Sequence, residues 1–343
     1  MDQNAEILKN ATKGSLKVIE QGREKEIISR RFGLTGSRET LEQIGEMLSI
    51  TRERVRQLEK AILIHLKVSA EENHIPELPP AEKILIRNLT EMGRVARLDA
   101  LADKVYGRTT TASERAGINF IATFSSSLTV VEENDSYYAA IGIADYGDSL
   151  SIRSKVDEIV NIVRKNKEPM SLDQLDNVLN YEHPDHIKAV ASISKQLATL
   201  NGVWGLAKWP SVNPRNIRDK IFVILESHKE PMHFSQIAKE IQGSNFKRKN
   251  VTVQAIHNEL IKDSRFVLIG RGIYALSTWG YKKGTISQII TDILKKADGK
   301  PLTREEIVKQ VLRVRKVKET TILLNLQNKK LFKKIDRNSY TLA

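Results

Sequence analysis

The chain has 343 residues, of which 40% are hydrophobic and 28% are charged, a composition typical of a soluble protein with more than one domain. It contains no cysteine and no apolar run near the ~20 residues of a membrane span, which excludes disulfides, thiolate zinc sites and transmembrane helices. A net charge of +13 and an isoelectric point near 9.6 favour a polyanionic partner.

Residues 1–22 predict short helices that lead into the next domain. Apolar side chains recur there at loosely helical spacing, and Gly14 marks a break between two helices. The segment lacks the basic start and apolar stretch of a signal peptide, so we expect a cytoplasmic protein.

The stretch Thr40–Leu66 predicts two helices joined by a tight turn. Thr40 is followed by Gln43 at the spacing of a capping box. Thr51 can cap the second helix, and Glu53 stands in its first turn, where an acid suits the helix dipole. Apolar residues at three- and four-residue spacing form the buried faces of the two helices: Leu41, Ile44, Leu48, Val55, Leu58 and Ile62.

The opposite side of the second helix carries a cluster of hydrogen-bonding side chains. These are Arg52, Glu53, Arg56, Gln57 and Lys60. Reading of the DNA major groove needs such a face, because arginine can grip guanine, glutamine can grip adenine and glutamate can accept from cytosine. A solvated helix surface has the same composition, and this alternative stays open for the residues taken alone.

The segments REKEIISRRFGL, TLEQIGEML and ITRERVRQLEKAI, between Arg23 and Leu66, resemble region 4 of a bacterial housekeeping-type sigma factor. In that family this helix-turn-helix reads the promoter −35 element. The resemblance implies a supporting helical half between Ile19 and Phe32. It also implies contacts to bases or neighbouring phosphates from Arg52, Glu53, Arg56 and Gln57, and to the DNA backbone from Arg54 and Lys60.

The second helix continues through Ala61 to Leu66 with apolar residues around its axis. We therefore expect its far end to be buried against the amino-terminal helices of its own domain, and a neighbouring domain or a polymerase is the alternative. Residues 71–81 follow as a predicted linker, in which three prolines and two adjacent acids favour a semi-extended spacer.

The remainder repeats a pattern four times, in units that begin near Glu82, Arg153, Asn216 and Thr285. Each unit opens with an amphipathic helix, exemplified by KVDEIVNIVRK, and three of them continue with a proline turn and a second helix, as in KEPMSLDQL. Third helices are predicted at Ile187–Leu200, Val253–Lys262 and Thr320–Lys329. A two-stranded hairpin closes each unit: LTVVEENDSYYAAI, GVWGLAKW, RFVLIGRGIYAL and LFKKIDRNSYTL.

Three helices followed by a hairpin describe a winged helix. We therefore predict a mainly α fold, in which a sigma region 4-like helix-turn-helix precedes a tandem array of winged-helix units, each α plus a small β-hairpin. The third unit resembles the HARE-type winged helix of the delta subunit of Firmicute RNA polymerase, through PMHFSQIAKEI, TVQAIHNELIKD and RFVLIGRGIYAL. The predicted domains are 1–70, 82–142, 153–209, 216–279 and 285–343.

All the excess positive charge lies near the carboxyl end. Residues 1–214 carry 28 basic and 30 acidic side chains, whereas residues 215–343 carry 27 and 12. The candidate phosphate contacts in this part precede the third helices or occupy a wing: Lys247, Arg248, Lys249, Arg271, Arg313, Arg315, Lys316 and Lys318. Solvated surface loops are the alternative. In the first wing Glu132, Glu133 and Asp135 would be repelled by phosphate, so we expect that wing to serve packing or a protein partner.

No catalytic pattern is recognisable. There is no phosphate-binding loop, no defensible pair of carboxylates, and His183 and His186 form an HPDH turn without a third metal ligand nearby. We expect no enzyme activity, no catalytic residue, no metal, no cofactor and no small-molecule substrate.

The sequence therefore predicts a nucleoid-associated DNA-binding transcription regulator whose partner is double-stranded DNA and which has no membrane partner. Two alternatives stay open. One is a module that binds RNA polymerase and modulates initiation, and the other is the DNA-recognition or scaffold component of a restriction or defence system, where HARE-like units also occur.

Overall fold

A computed structural model describes residues 2–179, 181, 183–336 and 338–343. The chain forms two compact units, Met1–Lys208 and Trp209–Ala343. Within the described residues, none of the helices combines the length and the hydrophobicity that crossing a membrane requires.

The first compact unit holds ten helices and six strands among its described residues. Its helices are α1 (Asp2–Val18), α2 (Gly22–Phe32), α3 (Leu41–Leu48), α4 (Arg52–Glu71), α5 (Leu78–Glu91), α6 (Leu98–Tyr106), α7 (Ala112–Phe124), α8 (Ser149–Asn166), α9 (Leu172–Leu179) and α10 (Pro184–Ile193). Its strands are β1 (Val95–Arg97), β2 (Leu128–Val131), β3 (Ala140–Ile143), β4 (Met170–Ser171), β5 (Leu197–Leu200) and β6 (Val203–Leu206).

The second compact unit continues the same alternation of helices and short strands. Its helices are α11 (Ile217–His228), α12 (Phe234–Gly243), α13 (Val253–Lys262), α14 (Ile286–Lys296), α15 (Arg304–Val314) and α16 (Glu319–Leu326). Its strands are β7 (Met232–His233), β8 (Phe266–Gly270), β9 (Ile273–Leu276), β10 (Leu302–Thr303), β11 (Phe332–Lys334) and β12 (Ser339–Leu342).

Four antiparallel sheets of three strands each follow the repeat. Their orders are β1-β3-β2, β4-β6-β5, β7-β9-β8 and β10-β12-β11, so the last strand lies in the middle of every sheet. The prediction of a mainly α protein with a helix-turn-helix and winged-helix units is confirmed. The expected two-stranded hairpins each gain a third strand, such as Met170–Ser171 paired with β6. Two or three residues are too few to show an alternating pattern, which is why the sequence did not indicate these strands.

Three local expectations are wrong. Gly14 does not break the first helix, since α1 is continuous through it, and the missing side chain leaves room for Glu77, whose Oε2 would lie 2.5 Å from an added Cβ. The helix predicted at Ile187–Leu200 ends at Ile193, and Leu197–Leu200 is strand β5. The helix predicted at Thr320–Lys329 is α16, which ends at Leu326.

The proline-rich stretch after α4 is a tight connection and not the expected semi-extended spacer. Ile75 and Leu78 are 2% and 3% exposed, and α5 already begins at Leu78 with prolines in its first turn. The apolar residues between the prolines decide this, because one core joins the helix-turn-helix to the first winged helix. Buried members of that core include Leu8, Ile28, Ile62, Leu66, Ile75, Leu78, Leu85, Leu101 and Phe120.

Candidate nucleic-acid interface

The caps predicted for the helix-turn-helix are confirmed. The Thr40 hydroxyl accepts from the Gln43 amide N–H at 3.2 Å, and Gln43 Oε1 accepts from the Thr40 N–H at 2.8 Å, which completes a capping box on α3. The Thr51 hydroxyl accepts from the Arg54 N–H at 3.2 Å at the start of α4. Both helices therefore begin where the sequence places them.

The turn between α3 and α4 depends on two small residues. A Cβ on Gly45 would lie 2.7 Å from the Ile50 carbonyl oxygen, so only glycine allows the two helices to approach this closely. Ser49 ends α3 in the left-handed conformation, with φ 54°. The sequence analysis missed the role of Gly45, although a glycine inside a helix is a recognisable signal of close packing.

Helix α2 holds the pair in place from below. Its Ile27 packs with Ile44 and Val55, all three being fully buried. The Arg31 guanidinium lies 3.1 Å from the Glu59 carboxylate on α4. These contacts fix α4 relative to α2, which is what a helix that reads a groove needs from its support.

The outward face of α4 is exposed as expected. This holds for Arg52, Glu53, Arg54, Arg56, Gln57 and Lys60. Arg56 donates to the Glu53 carboxylate from Nε at 2.8 Å and from Nη2 at 2.6 Å, and the Gln57 amide adds a contact at 3.4 Å. Hydrogen bonding to Arg56 lowers the pKa of Glu53 below its ordinary value and raises the pKa of Arg56. The result is a row of charged donors and acceptors already aligned along one helix face.

The far end of α4 is buried on one side only. Ile62 and Leu66 are buried, and α4 packs against α1, α2 and α7, which confirms the expected packing on the amino-terminal helices. Ile64 and Val68, by contrast, are 54% and 44% exposed. Together with Leu63 and Thr123 of α7, Ile64 lines a shallow groove beside the recognition face.

In the second compact unit, Lys247, Arg248 and Lys249 are exposed on the loop that precedes α13. The buried Lys220 of α11 supports this loop, because its Nζ donates to the Arg248 carbonyl oxygen at 2.8 Å. Burial lowers the pKa of Lys220. Sequence reasoning missed this residue, although a lysine within the apolar run of IRDKIFVIL was a usable signal.

The remaining candidates separate into two groups. Arg271 at the tip between β8 and β9, and Arg313 and Lys316 near α16, are exposed. Arg315 is different, since its guanidinium donates to the carbonyl oxygens of Leu268 and Gly284. Burial lowers the pKa of Arg315. Its guanidinium is thus committed to contacts within the protein, and we no longer expect it to bind phosphate directly.

The fourth wing adds basic residues that sequence reasoning omitted. Four exposed lysines lie on and before β11: Lys329, Lys330, Lys333 and Lys334. Among the described residues none of them forms an ion pair. The run NKKLFKK was the available signal, and it was overlooked because attention fell on the loops before the third helices.

The acidic first wing packs against the second winged helix, in line with the packing role expected for it. Tyr137 and Ser194 form a β-bridge, and the Tyr138 N–H donates to the Ile193 carbonyl oxygen at 2.8 Å. Glu133 accepts from Lys195 Nζ at 2.7 Å. This wing is therefore occupied by a protein contact.

The HPDH turn has a structural role. His183 Nδ1 accepts a hydrogen bond from the Asp185 N–H at 3.2 Å and thereby caps α10. In the part of the chain that the structure describes, no group of three or more histidines, aspartates and glutamates is placed to hold a metal ion.

Two family models match parts of the chain. Residues 21–67 match "Sigma-70, region 4", and residues 216–279 match HARE-HTH, a "restriction endonuclease HTH domain" that is also named for ASXL. A 56-residue segment is 45% identical to "RNA polymerase sigma factor sigB" of Arabidopsis thaliana. It covers 16% of this chain and 10% of that relative, so the chain spans about a tenth of the relative's length.

Both predicted resemblances are thereby confirmed. Both families are helix-turn-helix domains, and the matches indicate DNA-binding domains of a kind connected with transcription. Neither family is an enzymatic one.

Proposed function

We propose that this protein is a DNA-binding transcription regulator that reads a short duplex sequence, such as a −35-like element, with α4. The observation that carries the proposal is the exposed row from Arg52 to Lys60 on a helix that is capped at Thr51 and anchored by Arg31. Its side chains stand on the amino-terminal half of α4, the part that helix-turn-helix proteins present to base edges.

The chemistry of this row suits base reading. Arg56 and Gln57 carry forked donors that match guanine and adenine, and Glu53 can accept from cytosine. Arg54 and Lys60 make no ion pair among the described residues, so both cations are available for phosphate. Base contacts would select the sequence, whereas phosphate contacts would fix the register of the protein on the duplex.

The two compact units divide this work by charge. The unit Met1–Lys208 carries 28 basic and 30 acidic side chains, and the unit Trp209–Ala343 carries 27 and 12. Sequence-independent affinity comes from neutralising phosphates and falls as salt rises. The second unit would therefore supply the salt-sensitive grip, and the first would supply the choice of sequence.

In vitro selection from a random duplex library tests the proposal. The full chain should enrich a defined motif, and Arg56→Ala or Gln57→Ala should cut the preference for it over random DNA by roughly 5- to 150-fold. Arg87→Ala is the matched control, because Arg87 is an exposed arginine with one ion pair, to Glu91 on the same helix. Equal losses on every sequence, or no enriched motif, would refute base reading.

A second candidate function is docking on RNA polymerase as a modulator of initiation. The specific observation in its favour is the pair of exposed apolar residues Ile64 and Val68 at the far end of a sigma-like helix. Co-purification with polymerase after nuclease treatment, abolished by Ile64→Lys and retained by Arg56→Ala, would support docking as a separate activity. Loss of the polymerase on nuclease treatment would favour DNA binding alone.

A further inference from the structure

The third winged helix is joined to the fourth along an exposed strand edge. Strand β8 lies at the edge of its sheet, and an extended segment of the fourth winged helix covers that edge. The Lys316 N–H donates to the Ile269 carbonyl oxygen at 3.0 Å, and the Arg315 guanidinium reaches the Leu268 carbonyl. An edge strand offers unpaired backbone groups, and here they are satisfied by the next domain.

The approach at this junction is too close for any side chain on the strand. A Cβ on Gly270 would lie 2.7 Å from the Lys316 carbonyl oxygen, which is a backbone atom and cannot rotate away. Arg271 follows Gly270 directly, so the wing tip of the third winged helix and the basic segment of the fourth are neighbours. The distance between the two backbones is fixed by the junction.

The junction concentrates positive charge without compensation. Arg271, Lys316 and Lys318 are all exposed, and none of them forms an ion pair among the described residues. The acid that follows them in sequence, Glu319, is paired with Arg304 at 3.4 Å. Like charges held close together repel each other, and an arrangement of this kind is stabilised by a polyanion that lies across it.

We propose that the third and fourth winged helices bind one stretch of DNA backbone as a single composite surface, in which the junction at Gly270 and Arg315 holds Arg271 and Lys316 side by side. The proposal rests on the proposed function, because it assumes that duplex DNA is the partner. Arg315 is here a positioning residue, and Arg271, Lys316 and Lys318 are the phosphate contacts.

The salt dependence of binding to a random-sequence duplex, measured with the full chain, tests the composite surface. Each lost phosphate contact should reduce the slope of log K against log salt by about 0.9. Gly270→Ala removes no charge, yet it should reduce the slope by about one or more and weaken binding about three- to tenfold, because it forces the two backbones apart. Gly243→Ala is its control, since a Cβ there meets nothing within 4 Å.

Two further comparisons keep the test independent of a single variant. Arg315→Gln should lower the slope more than Arg313→Gln, which removes the same charge from an exposed neighbour. The double variant Arg271→Ala with Lys316→Ala should lower it by about two contacts. If the wild type binds and Gly270→Ala, Arg315→Gln and the double variant all match their controls or the wild type, the composite surface is refuted. Failure of the wild type to bind any duplex would instead overturn the proposed function.

Discussion

The Arg56 guanidinium lies across the Glu53 carboxylate and donates two hydrogen bonds to it, at 2.8 Å and 2.6 Å. Both side chains are more than half exposed, at 56% and 58%, so the pair is open to solvent and to an incoming duplex. Exposed ion pairs of this kind contribute little to folding and exchange partners readily. The pair therefore aligns Arg56 in the free protein without committing it.

Replacement of Glu53 by glutamine should change DNA binding more than stability. The variant loses a carboxylate that repels phosphate, so we expect affinity for random duplexes to rise about two- to fivefold and preference for the selected motif to fall. Fluorescence anisotropy on motif and random duplexes measures both. Glu46→Gln, at an exposed acid on α3, should change neither. A loss of affinity on every duplex would mean that Glu53 chiefly holds Arg56 in place.

Gly45→Ala should force α3 and α4 apart. The added methyl group would meet the Ile50 carbonyl oxygen at 2.7 Å, and overpacking against backbone destabilises by about 1–3 kcal/mol. Urea unfolding followed by circular dichroism should detect the loss, and motif preference should fall with it. Gly22→Ala is the control, since a Cβ at Gly22 meets nothing within 4 Å. Unchanged unfolding and binding in Gly45→Ala would contradict the close approach of the two helices.

Glu114→Gln should remove a pH-dependent contribution to stability. Hydrogen bonds from Arg108 and from Thr111 lower the pKa of Glu114 from 4.5 to about 2. Because the folded state then holds its proton less tightly than the unfolded state, the contribution is present above pH 4.5 and is lost as the pH falls towards 2.

We expect the wild type to exceed Glu114→Gln by about 1–2 kcal/mol at neutral pH, an amount reduced by the partial exposure of the pair. The gap should close between pH 4.5 and 2 in urea unfolding. Glu71→Gln removes an exposed carboxylate without an ion pair among the described residues, and should follow the wild type throughout. A gap that persists at the lowest pH would exclude ionisation of Glu114 as its source.

Lys220→Met should release the basic loop before α13 while leaving the fold intact. The Arg248 carbonyl loses its donor, so amide hydrogen exchange at residues 247–249 should accelerate and affinity for random DNA should fall about two- to fivefold. Since burial lowers the pKa of Lys220, the wild type should gain stability relative to the variant as the pH rises towards 10.5. Lys239→Met, at an exposed lysine on α12, should show neither effect, and unchanged exchange in Lys220→Met would remove the anchoring role.

Local patterns were sufficient for much of the fold and of the candidate site. Thr40 with Gln43, and Thr51 before Arg52, predicted where α3 and α4 begin, because caps depend on residues two or three positions apart. The exposed side of α4 followed from its helical period in the same way. The repeat of helices and hairpins identified winged helices, since each hairpin joins strands that are adjacent in the chain.

Tertiary structure decided what depends on residues far apart in sequence. Short strands such as Met170–Ser171 exist only because a later strand pairs with them, and Gly45 matters only because Ile50 returns to it. The sequence by itself determined that Arg315 is a cation near the start of a helix. Only the folded chain brought the Leu268 carbonyl to that guanidinium and turned an expected DNA contact into a junction, because backbone hydrogen-bond partners leave no trace in side-chain patterns.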